Sequence, residues 1–81
     1  MNMERAALRS QIAVEEHLIR EAKMEANLLR TVLREKLGAW LEIETIETDK
    51  IALACGRMCA AVTRIRESAE RLKILEESLN G

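Results

Sequence analysis

Apolar residues return at steps of three, four or seven over two long stretches of the chain, the spacing at which side chains share one face of an α-helix. In the first stretch, about residues 3–43, the stripe runs Leu8, Ile12, Ile19, Ala22, Ala26, Leu29, Leu33 and Trp40. A polar, β-branched interval follows, Glu42-Ile43-Glu44-Thr45-Ile46-Glu47-Thr48-Asp49. The period then resumes in Ile51, Cys55, Met58, Val62, Ile65, Ala69, Leu72, Leu75 and Leu79. The pattern predicts an all-α chain of one domain, residues 1–81: a first helix over about 3–43, a turn over about 44–47 and a second helix over about 48–79. Ile46 and Ile51 are spaced as a hydrophobic staple around a cap at Glu47 or Thr48, and Asp49 suits the first turn of a helix.

If the helices fold back at Thr45 and Ile46, the numbers of facing residues add to about 91. Seven rungs are then apolar on both sides, from Trp40 opposite Ile51, through Leu29 opposite Val62, to Ile12 opposite Leu79. Two rungs misfit, with Lys36 facing Cys55 and Glu15 facing Glu76. Gly38 offers a different end to the first helix, because Lys-Leu-Gly is a common stop with the glycine left-handed. The shared register favours continuation, since an interior glycine costs only ~1 kcal/mol.

A second apolar set lies beside this seam: Val14, Leu18, Leu28, Val32, Leu37 and Leu41 on the first helix, with Leu53, Ala54, Ala61 and Ile74 on the second. A lone hairpin leaves much of it in water, although burying one large aliphatic side chain is worth ~1.5–3 kcal/mol. The expectation is a homo-oligomer, with a dimeric four-helix, coiled-coil-like bundle as the default. Its interface residues are Leu8, Ile12, Leu18, Ile19, Leu28, Val32, Trp40 and Leu41. Residues 1 to about 10 would extend past the end of the second helix, yet Ala6, Ala7 and Leu8 continue the apolar face, marking a candidate docking segment for a second copy or a protein partner.

Composition sharpens this picture. Of 81 residues, 48% are hydrophobic but only 1% aromatic, which suits a thin seam rather than a thick core. Proline is absent, so long helices meet no strong breaker. Thirteen basic and fourteen acidic residues leave a net charge of −1, so no overall field draws the chain to nucleic acid or an anionic membrane. The apolar runs are too short for a membrane span or a signal peptide, and the two cysteines do not form a secreted disulfide framework; these features lead to a cytoplasmic expectation without membrane contact.

Candidate chemistry is sparse. Cys55 and Cys59 share a helix face, but a structural zinc site needs four ligands and the single histidine, His17, lies near the far end of the hairpin; both cysteines read as buried small residues. His17 lacks a glutamate three residues earlier, where Val14 stands, so the Glu-x-x-His motif of helical di-iron sites is missing, and His17 reads as solvent-facing beside Glu21. Lys50, Arg57, Arg64 and Arg71 recur every seven residues as one basic line that could track phosphates. Pairing with Glu21, Glu25 and Glu35 of the neighbouring helix is the favoured reading, since from Lys50 onward six basic residues against four acids leave a surplus of only two. The acidic turn, Glu42 to Asp49, lacks calcium-loop spacing and reads as solvated. No nucleophile with a base, carboxylate pair or phosphate-binding loop can be assembled, so neither an enzyme nor a cofactor is expected.

The segment Glu25-Ala26-Asn27-Leu28-Leu29-Arg30, then Leu33, the acidic turn, and Ile51-Ala52-Leu53-Ala54 leading to Val62-Thr63-Arg64-Ile65 resembles the helical hairpin of small prophage-type proteins, some of them similar to packaging or small-terminase accessory subunits. The resemblance covers roughly residues 25–72. It implies a hairpin fold and an accessory role, and carries over no functional residue. The leading functional expectation is a non-enzymatic assembly or adaptor module acting through self-association and partner binding; the alternative is a small nucleic-acid-binding regulator using Lys50, Arg57, Arg64 and Arg71.

Overall fold

The computed structural model describes residues 2–81. Helices α1 (Asn2–Lys36) and α2 (Thr48–Asn80) run antiparallel against each other, joined by a connection that contains a 3-10 turn at Ile43–Thr45. No strand occurs among the described residues, so the all-helical hairpin is as expected. Its extents are 63 × 16 × 13 Å, with a radius of gyration of 18.3 Å, well above the ~12 Å of a compact chain of this length. Glu4 in the first turn of α1 and Arg34 and Lys36 in its last complement the helix dipole.

The first helix ends seven residues earlier than its expected limit at 43, at Lys36. Leu37 N–H still reaches Leu33 O at 2.9 Å, but Gly38 N–H turns to Glu35 O at 3.4 Å and Leu41 N–H closes onto Gly38 O at 3.0 Å. The chain thus stops beside the glycine, though not by the left-handed route, since no glycine among the described residues has a positive φ. The reason is space: Gly38 is buried, and a Cβ there would overlap the Trp40 ring. Trp40 folds back over this backbone and remains 73% exposed, which corrects its expected place in the seam opposite Ile51. Leu41, also in the connection, is half-buried.

The early stop shifts the register by about one helical turn. Arg71 meets Glu15 and Arg64 meets Glu25, so facing numbers add to about 87 rather than 91. At this sum α1 contributes Leu8, Ile12, Glu15, Ile19, Ala22, Ala26, Leu29, Leu33 and Lys36, and α2 contributes Ile51, Ala54, Met58, Ala61, Ile65, Ser68, Leu72, Leu75 and Leu79. Each of these is buried or half-buried, and each set alternates steps of three and four, the spacing of a coiled-coil seam. Cys55, Cys59 and Ala69 are exposed rather than buried, because Ala54, Met58, Ala61 and Ser68 take the seam. Leu8 now lies opposite Leu79, so the expected overhang shrinks to the first two turns, where Met3 to Ala7 are exposed; Met1 lies outside the described residues.

The most buried positions are Ala22, Leu29, Ala54, Ala61 and Ser68, and among the described residues no large side chain is fully buried. Across the seam small residues meet larger ones, Ala22 at the level of Ile65 and Ala54 at that of Leu33, except at the centre, where Ala26 meets Ala61. α2 begins at Thr48 after Glu47, as the staple spacing predicts, with Ile46 and Ile51 both half-buried.

Gly56 stands in mid-helix with open space where a Cβ would go. Gly56→Ala should therefore stabilise the chain by about 0.5–1 kcal/mol, through helix propensity alone. Thermal unfolding would register a rise of several degrees, on the scale of about 4–8 °C per kcal/mol. A lowered midpoint would mean that a neighbouring chain approaches closely at this glycine.

Candidate functional site

The basic line is largely engaged within the chain. Lys50 pairs with Glu47 at 2.5 Å, Arg64 with Glu25 at 3.4 Å and Arg71 with Glu15 at 2.8 Å. Of the acids expected to pair with it, only Glu25 does so; Glu21 meets His17 at 3.1 Å on the exposed surface, where both residues were expected. Arg57 is exposed one turn from the Ala54 level. Cys55 and Cys59 are free and open to solvent, and among the described residues no group of three or more His, Cys, Asp or Glu is placed to hold a metal ion.

Two polar clusters hold the register from opposite ends. Near the termini, Glu15 occupies a seam position; its Oε1 accepts from Arg71 Nε at 2.8 Å, and Arg71 Nη2 donates to the buried Ser68 Oγ at 3.0 Å. Glu15 Oε2 is enclosed without a hydrogen-bond partner. The Arg71 hydrogen bond holds the Glu15 carboxyl below its ordinary value against the opposing effect of desolvation, and the Ser68 hydroxyl and the Arg71 charge assist. Beside the connection, the Glu47 carboxylate spans Lys50 and, at 3.4 Å, Lys36, so it ties the last turn of α1 to the first turn of α2. These two hydrogen bonds, that of Lys50 first, lower Glu47. Ser68 and the pairing role of Glu15 escaped sequence reading. The signal was present, because the unbroken alternation of three and four runs through Glu15, Lys36 and Ser68 once polar residues are admitted to it.

On one side of the seam a shallow groove runs between the helices, lined by Leu18, Glu21 and Glu25 from α1 and Arg64, Ser68 and Arg71 from α2. It continues toward the termini past Gln11 and Ile74. Helical spacing adds Val14, Leu28 and Val32 on the α1 rim and Leu53 on the α2 rim. Leu18 is 42% exposed, Val14 57%, Leu28 67%, Leu53 63% and Ile74 55%, so one face of the hairpin presents five large aliphatic side chains to solvent. Leu18, Leu28 and Val32 of the expected interface thus share this face. Leu8, Ile12 and Ile19 belong to the intrachain seam, and Trp40 and Leu41 to the connection. This arrangement can bind another apolar helical surface; it brings together no nucleophile and base.

No family model matches the chain. No curated protein and no solved structure is significantly similar to it. No described helix is long and apolar enough to cross a membrane.

Both clustered glutamates titrate below the ordinary value of 4.5, so their ionised forms stabilise the folded hairpin. For a depressed carboxyl that contribution is complete above the unfolded value and is lost as pH falls through the folded value. Stability should therefore be flat from pH 7 to about 5 and decline as pH drops below 4.5. Glu15→Gln should flatten part of that decline in thermal melts across pH; an unchanged profile would remove Glu15 from this account.

Proposed function

We propose that this protein is a non-enzymatic assembly or adaptor module that acts through helical self-association and partner binding. The observation that carries the reading is the uncovered surface. The isolated chain exposes 6446 Å², roughly 1,500 Å² more than the ~4,900 Å² of a compact monomer of its mass. That excess is roughly twice the ~800 Å² per partner that a standard protein–protein interface buries. Among the described residues, five of the seven exposed Val, Leu and Ile side chains lie together on one face, Leu37 and Ile43 standing elsewhere, and such clustering is how an interaction surface differs from ordinary surface hydrophobes.

The resemblance to prophage-type hairpins accords with an accessory role in an assembly. The nucleic-acid reading gains no comparable support, because Lys50, Arg64 and Arg71 spend their charge on Glu47, Glu25 and Glu15, and the one aromatic residue offers little for bases to stack on.

Light scattering across a dilution series should find a helical dimer at micromolar concentration. Leu18→Glu combined with Leu28→Glu should weaken it at least about a hundredfold while circular dichroism keeps its helical signal, since each leucine contributes ~1.5–3 kcal/mol when buried. A helical monomer at all concentrations would contradict self-association. Binding of duplex DNA at low salt, abolished by changing Arg57, Arg64 and Arg71 together to Gln, would replace the reading with the nucleic-acid one.

A further inference from the structure

We propose that the exposed face takes a second copy of the same chain, packed antiparallel about a two-fold axis that crosses the hairpin at the level of Glu25 and Arg64. This rests on the self-association reading and specifies its geometry. On α1, Val14 and Val32 are equidistant from position 23, and so are Leu18 and Leu28. On α2, Leu53 and Ile74 are equidistant from a point between 63 and 64. In the observed register residue 23 of α1 lies level with residue 64 of α2, so the aliphatic groups of both helices are symmetric about one level.

A two-fold axis there, lying in the interface and perpendicular to the helices, stacks α1 on the partner's α1 and α2 on the partner's α2. Val14 then meets the partner's Val32, Leu18 the partner's Leu28, and Leu53 the partner's Ile74. At the centre Glu21 lies level with the partner's Glu25, and Arg64 of each copy, paired with Glu25 of its own chain, stands beside them. Over the whole face Glu21, Glu25 and Glu67 balance Arg57, Arg64 and Arg71, so apposition brings no net charge together. A parallel dimer of the same faces is poorer. It sets Leu18 between the partner's Glu67 and Arg71 and Val32 between the partner's Leu53 and Arg57, and retains Val14 beside the partner's Ile74 as its one level aliphatic pair. The face, 63 Å long and 16 Å wide, offers on the order of 1,000 Å², above the ~800 Å² per partner of a standard interface. The antiparallel arrangement also brings the connection of one copy, with Leu37 and Trp40 exposed, beside the first turns of the other.

The test is a distance. In a background with Cys55→Ser and Cys59→Ser, both exposed in the native chain, a spin label on Glu44→Cys marks the tip of each hairpin. Pulsed electron resonance on the dimer should give roughly 50 Å between labels, from about eighteen residues of helical rise on each side of the axis. Mixing Leu18→Cys chains with Leu28→Cys chains should give a disulfide dimer several-fold in excess of that from either chain alone. A dimer by light scattering with labels less than about 25 Å apart would overturn the antiparallel arrangement and leave self-association standing; a monomer would overturn both.

Discussion

The close approach of α1 and α2 at Ala26 and Ala61 is the constraint from which the rest of the molecule follows. Ala61 is fully buried and Ala22 and Ala54 nearly so, which means the helices approach most closely through small side chains, while larger seam residues such as Ile12, Ile65, Leu72 and Leu79 are only half-buried. Such a seam excludes water well but removes little apolar area from it, so its gain is small against the entropy of ordering two long helices. The two described helices pack on each other alone and leave their outer faces uncovered. The exposed Val14, Leu18, Leu28, Leu53 and Ile74 are the counterpart of that thin seam, because aliphatic groups that do not fit between the helices stand beside them.

Where the most buried seam positions are alanines, register is specified poorly, since alanine tolerates a slip of one turn better than interlocked leucines do. The polar positions supply what alanine lacks. Glu15 reaches Arg71 only when α1 and α2 are aligned as found, and Glu47 reaches Lys36 only when the connection closes at that length. A slip of four residues would bring Glu15 to the level of Glu76 and strand its enclosed carboxylate. This use of polar seam residues for alignment rather than strength is well precedented in coiled coils.

The same residues explain what could and could not be read from sequence. The two helices, their antiparallel fold and the start of α2 were legible because apolar periodicity and the Ile46–Ile51 spacing are local signals. The register is not legible, because apolar period alone admits Cys55, Val62 and Ala69 to the stripe and passes over Ala54, Ala61 and Ser68. Trp40 fits the helical period of its stripe, yet it stands two residues past Gly38, and its ring lies over that backbone instead of in the seam. The uncovered face was visible as the second apolar set, although Ala54 and Ala61 proved to belong to the seam. That Leu18 shares a groove with Arg64 and Arg71, with Val14, Leu28 and Val32 on the same side of α1, is apparent only with the register.

That the hairpin draws its stability from a surface shared with another molecule is tested most directly by the concentration dependence of its thermal unfolding. Where folding and self-association are linked, mass action raises the midpoint with protein concentration. The account predicts a midpoint that climbs by several degrees over a hundredfold range at constant pH and salt, with the dependence lost when Leu18 and Leu28 are both changed to Glu. A sharp cooperative transition at the same temperature throughout that range would show that the thin seam suffices alone and would contradict the account.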